Sequence, residues 1–343
     1  MMLRNAVLLT SVALLTAAAA PAPAAIPWTV CYDPSFGVTP DALPGWIRLG
    51  TGTSFTGPDP VHGHMDTPLH IHTDAARAEQ VYYWHAFAGS STTGYTAQVT
   101  VHLDEYDAQS EDRGAVAVLV EPPSSGDYGL YSQIAATGVV VWLNWGAGAP
   151  LTVKYPMDTT DDYHTYHYAV AGDAFALWVD GAFAMSDTFV GPILNRGSFR
   201  FGDTSRLGSA HSHWLRVCWS EEGAFAPEVE ATLDIDPDAW NLGSRGRWVT
   251  AYIELPSPLD VADIDVSSLL LNGVVPAALR PTAIGDHDGD GIPDLIVKFP
   301  RDQALATVSP GSAVPVTVEG VLFGGTSFVA TDEIIVLLKP APG

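Results

Sequence analysis

The sequence predicts an all-β protein, a large β-sandwich followed by a smaller C-terminal one. Between residues 26 and 222, nearly every patterned segment alternates apolar and polar residues with a period of two. Gly, Pro or Asp separates these segments, as expected for turns between strands. The alternation returns after residue 228, and no stretch keeps a helical period over ten residues. Antiparallel sandwiches have this pattern, whereas βαβ folds alternate strands with helices.

Residues 1–24 have the pattern of a secretory signal peptide. Arg4 supplies a positive charge, and an apolar run too short to span a bilayer follows it. The run ends in small residues, with a small-x-small cleavage site at Ala22–Ala24. We therefore expect a mature chain that begins near Ala25 and is secreted, either to the extracellular space or to the cell surface.

The composition restricts the partners of the chain. It carries 15 Lys and Arg residues against 39 Asp and Glu residues, a formal net charge of −24. Such an acidic chain repels nucleic acid and anionic membranes, so we expect no nucleic acid as a partner. After the signal peptide, no stretch has the roughly 18 apolar residues that a membrane helix needs, which predicts no membrane insertion. A hydrophobic fraction of 47% excludes general disorder.

A polar segment that contains Gly and Pro divides the chain. This segment, "SEEGAFAPEVE", occupies residues 220–230, between two regions rich in predicted strands. The mature chain is too long for one ordinary hydrophobic core and long enough for two. We therefore expect a first domain at residues 25–222, a linker at residues 223–229 and a second domain at residues 230–343.

Several strands of the first domain can be read from the sequence. In "TAQVTVHLD", Val99 and Val101 share one face while polar residues occupy the other. The pair Asp180–Gly181 stands between two short apolar runs and predicts a tight β-hairpin.

The second half of this domain resembles a known family. The run "YHTYHYAVAGDAFALWVDGAFAMSDT", followed by "FRFGDTS" and "HWLRVCWS", is similar to the C-terminal half of laminin-G-like, concanavalin A-like jelly rolls. The resemblance covers about residues 26 to 222. It implies a two-sheet jelly roll whose first and last strands lie together.

Two cysteines, Cys31 and Cys218, remain in the mature chain. An even number of cysteines in an oxidising compartment favours one disulfide, and two separately buried thiols are the alternative. The resemblance places "WTVCYD" on the first strand and "RVCWS" on the last. It therefore implies that these two cysteines are paired.

The second domain resembles a small β-sandwich module that is appended to many secreted microbial proteins. Three motifs carry the resemblance: "LDIDP", "SRGRWVTAYIELP" and "GDHDGDGIPDLIVKF". They occur in the expected order within about residues 228 to 338. In "RWVTAYIELP", Val249, Ala251 and Ile253 alternate with polar residues, which predicts a strand.

The acidic loop of this domain predicts a calcium site. Counted from Asp286, carboxylates stand at positions 1, 3, 5 and 9, and Gly291 stands at position 6. Alternate side chains then converge on a hard cation, and a backbone carbonyl at position 7 adds an oxygen. The alternative is an acidic turn, since turns favour both Asp and Gly. The predicted ligands are Asp286, Asp288, Asp290, Ile292 through its carbonyl, and Asp294.

This loop differs from an EF-hand in one important way. Position 12 is Val297, where an EF-hand supplies a bidentate glutamate, and the chain continues as an alternating strand rather than as a helix. The remaining ligands must be water or residues from elsewhere, and Asp263 and Asp265 are candidates. We therefore expect Ca²⁺ to act as a static structural clip, not as a sensor.

Histidines concentrate in "VHGHMDTPLHIHTD" and in a further His-x-His pair. On a strand, residues i and i+2 share a face, so each pair can present two imidazoles to one metal ion. If the first and last strands are neighbours, a second metal site can form. The alternative, which the sequence favours, is a set of outward-facing polar positions. The segment contains His62 and His64, and the candidate ligands of the second site are His70, His72, His211 and His213.

A glycosidase is the main enzymatic alternative, because concanavalin A-like sandwiches include laminarinase-type enzymes. Their paired carboxylates alternate along one strand. In "HLDEYDAQSEDRG", Glu105 and Asp107 have the spacing of residues on one face of a strand, but Glu111 does not continue the spacing found in these enzymes. The composition of the segment also favours a loop. We therefore assign no catalytic residue. Three tryptophans offer candidate faces for sugar stacking, although the aromatic residues of a β-sandwich more often belong to its core: Trp142, Trp145 and Trp178.

These observations predict a secreted, non-enzymatic binding or adhesion protein. Its jelly roll would recognise a glycan or an extracellular protein surface, and calcium would stabilise its second domain. Two alternatives remain open: a divergent glycoside hydrolase, and a structural subunit of a surface or filament assembly formed by self-assembly.

Overall fold

The computed structural model describes residues 26–58, 68–107, 116–144, 151–191, 196–204 and 209–338. The predicted signal peptide lies outside these residues. The chain forms two compact units, one from Ile26–Asp180 with Ala184–Phe225, the other from Gly181–Phe183 with the chain from Ala226 onward. Of the described residues, only Arg301–Leu305 form an α-helix, α1. No helix in the described part of the chain is long and apolar enough to cross a membrane.

The first unit contains two sheets, and every strand pair whose register is described is antiparallel. Short 3-10 turns at Pro34–Phe36, Pro40–Ala42 and Ala75–Arg77 connect some of its strands. The eight-stranded sheet contains, in order, β13 (Ala182–Thr188), β12 (Ala174–Val179), β11 (His164–Ala171), β6 (Tyr95–Asp107), β15 (Ser209–Ser220), β4 (Leu69–Thr73) and β3 (Thr53–Thr56), with β1 (Val30–Tyr32) beside β15. The seven-stranded sheet contains β10 (Thr152–Pro156), β9 (Gly138–Trp142), β8 (Leu130–Ala135), β7 (Val116–Glu121), β14 (Ser198–Asp203), β5 (Val81–Ala86) and β2 (Trp46–Gly50).

One hydrophobic core lies between these two sheets. Val99 and Val101 of β6 are buried in it, as the period of two predicts. Phe199 of β14 stacks on Trp219 of β15 with ring centroids 4.4 Å apart, which joins the two sheets across the core. The central neighbours β6 and β15, and β7 and β14, are distant in sequence, which is the connectivity of a jelly roll. The predicted jelly-roll sandwich is therefore confirmed.

The disulfide prediction is also confirmed. Cys31 of β1 and Cys218 of β15 are Cα partners in an antiparallel pair, and they form a disulfide. This pairing places the first strand of the domain beside its last. The covalent bond closes a chain segment with a sequence separation of 187 residues.

The predicted hairpin occurs between β12 and β13, which are neighbours in the eight-stranded sheet. Asp180 and Gly181 both have left-handed backbone conformations, with φ angles of 51° and 80°. Two successive left-handed residues are what a two-residue type I′ turn requires. The Asp-Gly pair therefore fits the turn.

The second unit is the smaller β-sandwich. The strand β16 (Glu228–Asp236) bends between its two layers, because Glu228–Ala231 pair in parallel with β24 (Ser327–Leu337) while Thr232–Asp236 pair antiparallel with β18 (Trp248–Glu254). Side chains from both layers bury one core, which includes Ile253, Phe299 and Phe328. The strands are, in sheet order, β20 (Val275–Pro276), β19 (Leu270–Leu271), β23 (Gly311–Val321), β24 (Ser327–Leu337), β16 (Glu228–Asp236), β18 (Trp248–Glu254), β22 (Asp294–Pro300) and β21 (Ala278–Gly285), with β17 (Ala239–Asn241) beside β24 and 3-10 turns at Val261–Asp263 and Val266–Ser268.

Candidate functional site

The outer face of the seven-stranded sheet, opposite the core, carries a row of large side chains that crosses the strands. Consecutive members are paired in register from β2 to β8. At the far end, the rings of Tyr131 and Trp142 stack with centroids 5.6 Å apart. Leu119, Tyr131 and Trp142 form a cluster separate from the main core, which shows that this end of the row faces away from it. The transverse row consists of Ile47, Trp84, Arg200, Leu119, Tyr131 and Trp142.

The row is partly open to solvent. Ile47 is 50% exposed and the neighbouring Leu49 is 39% exposed, while Trp84 and Trp142 are half-buried. Alternation along β2 and β5 explains this exposure, because the preceding residues Trp46 and Tyr83 fill the core. The face therefore presents aromatic and aliphatic surface at both ends of the row.

A buried ion pair fixes the centre of the row. Arg200 pairs with Glu121 through its Nη2 atom, and Glu121 is 2% exposed. Ser198 donates a hydrogen bond to the same carboxylate at 2.8 Å. Among the described residues, the buried Nε of Arg200 has no hydrogen-bond partner. A charged hydrogen-bond donor thus lies in the middle of an otherwise apolar row.

Side-chain hydrogen bonds also orient the aromatic end of the row. The indole Nε1 of Trp142 donates to Gln133 at 2.9 Å, and the Gln133 amide donates to the Tyr131 hydroxyl at 3.0 Å. Of the other two candidate tryptophans, Trp178 is 3% exposed and packs edge-on against His167. Trp178 therefore offers no open stacking face. Trp145 lies outside the described residues.

The carboxylates of the glycosidase alternative fall at the end of β6. The segment that the sequence favours as a loop begins as strand, because β6 continues to Asp107 through its pairing with β15. The pairing includes Glu105 opposite His211 and Asp107 opposite Ser209. Glu111 lies outside the described residues.

The acidic loop of the second unit curls around its first carboxylate. Asp286 accepts hydrogen bonds from the backbone N–H groups of Gly289 at 2.7 Å and Gly291 at 3.2 Å. Gly289 and Gly291 have φ angles of 81° and 95°, so the sharp turn uses the conformational freedom of glycine. Asp290 accepts from the N–H of Ile292 at 2.7 Å. The loop is therefore held in its turn by hydrogen bonds from its own backbone N–H groups to its own carboxylates.

The last predicted ligand, Asp294, is buried and accepts from the N–H of His287 at 2.5 Å. The chain then continues as β22, in which Val297 and Phe299 are fully buried. The predicted strand exit is thus confirmed, and Val297 fills the core where an EF-hand would place a ligand. The ring of His287 stacks on Tyr252 with centroids 3.6 Å apart, which anchors the loop to β18.

A glutamate that the sequence did not indicate lies beside the loop. Oxygens of Glu254, Asp288 and Asp290 lie within 4.8 Å of one another. Burial, followed by the negative charges of Asp290, Asp294 and Asp288, raises the pKa of Glu254. The sequence candidate Asp265 instead accepts hydrogen bonds from Ser267 and caps a 3-10 turn. Only the pairing of β18 with β22 brings Glu254 to the loop, so no local signal could have found it.

The strands β4 and β15 bring together the four candidate histidines, His70, His72, His211 and His213. His70 is the Cα partner of His213, and His72 is the Cα partner of His211. Nitrogen atoms of His70, His72 and His213 lie within 4.8 Å of one another. His211 instead stacks on His72, with ring centroids 4.1 Å apart. His62 and His64 lie outside the described residues.

Comparisons with known proteins identify no family for this chain. No protein-family model matches it, and no curated protein matches it. Among similar solved structures, a carbohydrate esterase from the Shiga toxin-encoding bacteriophage phi24B is 13% identical over 57% of this chain and 98% of that chain, with a TM-score of 0.42. The Crh5 transglycosylase is 17% identical over 61% of this chain and 89% of its own, with a TM-score of 0.39.

A third similar structure is the carbohydrate-binding module CBM66 from Bacillus subtilis. It is 17% identical over 51% of this chain and 95% of that chain, with a TM-score of 0.34. Likenesses of this size do not define a function. The function of this chain has to be inferred from its own geometry.

Proposed function

We propose that this chain is a secreted, non-enzymatic glycan-binding protein. Its jelly roll would hold a neutral glycan on the outer face of the seven-stranded sheet, and a calcium ion would stabilise its second domain. The observation that carries the proposal is the transverse row, in which half-buried tryptophans flank a fixed arginine.

The chemistry of the row suits a sugar ring. The C–H face of a pyranose is apolar and packs on an indole, while its hydroxyl groups accept hydrogen bonds from a guanidinium. Trp84 supplies the aromatic surface and Arg200 the donor, on directly opposed positions. The ion pair with Glu121 holds the guanidinium in place before a ligand arrives, which reduces the entropic cost of binding.

Charge favours a neutral glycan over an anionic one. The formal net charge of the chain is −24, so uronic acids and sulfated sugars approach against electrostatic repulsion. Arg200 is already neutralised by Glu121, so it does not offset this repulsion. Neutral polysaccharides are therefore the class that we assign to the face.

Calcium is assigned to the loop Asp286–Asp294 together with Glu254. The spacing of the carboxylates, the glycine at position 6 and the additional carboxylate from β18 favour a hard cation with oxygen ligands. The affinity should be that of extracellular modules, with a Kd of about 10⁻⁴ to 10⁻³ M. Calcium at ten times its Kd would stabilise the second domain by about 1.4 kcal/mol.

Isothermal titration of the full chain against neutral and anionic polysaccharides tests the proposal. Trp84→Ala should weaken binding of a neutral glycan by about 10- to 100-fold, the loss expected for a central aromatic contact. Phe36→Ala is the matched control, because Phe36 is an exposed aromatic residue outside the row. Equal binding by wild type and Trp84→Ala, or no binding to any neutral glycan, would contradict the proposal.

The same samples distinguish the alternatives. Release of reducing sugar by the wild-type chain would favour a glycoside hydrolase. Calcium-dependent polymerisation without glycan binding, followed by light scattering, would favour a structural subunit. Glycan binding without turnover and without polymer supports the proposed function.

A further inference from the structure

We propose that His70, His72 and His213 form a binding site for a transition-metal dication, either Zn²⁺ or Cu²⁺. The site lies in the first unit, on the eight-stranded sheet. It shares no residue with the transverse row, which lies on the other sheet, or with the acidic loop. The inference therefore stands independently of the glycan and calcium assignments.

The register of two neighbouring strands brings the three ligands together. His70 and His213 are directly opposed, and their ring centroids lie 4.5 Å apart. The ring of His72 lies 6.1 Å from that of His70 and 6.3 Å from that of His213. One nitrogen from each of the three rings lies within 4.8 Å of the others. With Zn²⁺–nitrogen bonds of about 2.0–2.1 Å, the three nitrogens of the loaded site would lie closer together than this limit, so small rotations of the rings would complete the site on metal binding.

Polar contacts outside the triad restrain two of its rings. The Nε2 of His70 is hydrogen-bonded to the carbonyl oxygen of Gly57 at 2.8 Å, and the Nε2 of His213 lies within ion-pair distance of Asp104 Oδ2, at 2.7 Å. A carbonyl requires an N–H donor, so the neutral His70 imidazole carries its proton on Nε2. The lone pair of His70 is then on Nδ1, the ligand atom of that ring. Such outer hydrogen bonds orient metal-binding histidines and increase their basicity.

The surroundings of the triad suit a metal ion that is held away from bulk solvent. His70 and His213 are fully buried, and Phe55 stacks on the His70 ring with centroids 4.5 Å apart. Apolar surroundings of this kind limit the access of water to a metal site.

The donor set also selects the kind of metal. Neutral imidazole suits Zn²⁺ and Cu²⁺, whereas Ca²⁺ prefers oxygen ligands. Asp104 contacts His213 and also lies 3.2 Å from the Nδ1 of His102. We therefore count its carboxylate as a group that holds a ligand ring in place, not as a ligand of the metal. Three protein nitrogens leave a fourth position of a tetrahedral ion for water or another ligand.

The test uses the full chain, purified without a histidine tag and stripped with chelator. Zn²⁺, Cu²⁺ and Ca²⁺ are titrated separately by calorimetry, and bound metal is counted by elemental analysis. We expect one Zn²⁺ or Cu²⁺ per chain at this site, with nitrogen hyperfine structure in the Cu²⁺ resonance spectrum. At 100 times the Kd, Zn²⁺ should raise the Tm of the first unit by about 5–11 °C.

His72→Asn is the test variant, because His72 is only half-buried and its loss leaves the two buried rings in place. It should weaken Zn²⁺ binding at least about tenfold, the scale of a lost contact at a metal site. His211→Asn is the matched control, which changes the neighbouring stacked ring, and it should bind Zn²⁺ within about threefold of wild type. Near-ultraviolet dichroism without metal checks that both variants are folded. Absence of Zn²⁺ and Cu²⁺ binding in the wild type, or a loss in His211→Asn as large as that in His72→Asn, would overturn the proposal.

Discussion

Trp84 of β5 and Arg200 of β14 lie directly opposite each other on the outer face of the seven-stranded sheet. This relationship joins the apolar and polar parts of the proposed glycan site. It also makes the site depend on Glu121, whose buried carboxylate holds the guanidinium. The stability of the domain and the geometry of its outer face are therefore coupled through one ion pair.

Arg200→Met should destabilise the first unit by about 3–5 kcal/mol. The substitution preserves most of the side-chain volume but leaves the Glu121 carboxylate buried without its counter-ion, and Ser198 alone cannot replace it. Urea unfolding at pH 7 measures the loss. Adding Glu121→Gln should recover part of it, because the uncompensated charge is then removed. A loss below about 1 kcal/mol in Arg200→Met would show that the ion pair does not fix the row.

Glu254→Gln should abolish most of the calcium response of the second unit. In the wild type, calcium at ten times its Kd should raise the Tm by about 5–10 °C relative to EGTA. In EGTA, the variant should melt at the same temperature as wild type or higher, because burial and neighbouring carboxylates raise the pKa of Glu254 and disfavour its charge. Glu230→Gln, an exposed change on β16, is the control and should keep the response. Equal calcium shifts in both variants would exclude Glu254 from the site.

Asp180→Asn should lower the stability of the first unit below about pH 9. His164 donates to Asp180 at 2.7 Å and to Asp161 at 2.9 Å, and the Asp180 contact is the main reason that its pKa rises to about 9. Since the folded pKa exceeds the unfolded value of 6.5, the stabilisation is complete below pH 6.5 and is lost as pH rises through 9.

The expected loss in Asp180→Asn at pH 6 is about 1–2 kcal/mol, after allowance for solvent screening at the partly exposed Asp180. Asn-Gly supports the same type I′ turn as Asp-Gly, so the variant should keep the hairpin. The difference in stability then reports the loss of the charge that contacts His164. NMR titration of His164 and urea unfolding at pH 6 and 10 measure the effect. An unchanged pKa of His164 in the variant would contradict this assignment.

His167 should make the first unit less stable in acid. Burial lowers its pKa to about 4, and its Nε2 donates to the carbonyl of Phe225 at 2.8 Å. Between pH 6.5 and 4 the unfolded chain therefore binds a proton that the folded chain does not, so stability falls as pH falls. The loss from this group should reach about 3 kcal/mol at pH 4. His167→Gln should make the free energy of unfolding less dependent on pH between pH 4 and 6.5. A dependence as steep as that of the wild type would show that His167 does not cause the loss of stability in acid.

The fold follows from local patterns that the sequence makes visible. Alternation at Val99 and Val101, the Asp180–Gly181 turn and the strand after Asp294 all have the predicted conformation. Each depends on interactions between near neighbours in sequence. The disulfide needed more, because only a resemblance placed Cys31 beside Cys218.

The candidate sites depend instead on strand register, which the sequence does not specify locally. Glu254 reaches the acidic loop only through the pairing of β18 with β22. The transverse row crosses six strands, and no segment shows that Trp84 will face Arg200. Similarly, β6 extends to Asp107 despite a composition typical of a loop, because pairing with β15 supplies its hydrogen bonds. Long-range pairing thus overrides local preference at the end of β6, and in the other two places it joins residues that are distant in sequence.

Binding of a neutral glycan on the transverse row can be observed by NMR of the full chain with ¹⁵N-labelled tryptophan. The protein is titrated with a neutral oligosaccharide that binds in calorimetry. The indole signals are assigned by single Trp→Phe variants. We expect the signals of Trp84 and Trp142 to shift, while those of the buried Trp178 and Trp240 stay constant. Shifts confined to tryptophans outside the row, or no shift at Trp84 when the sites are saturated, would contradict the account.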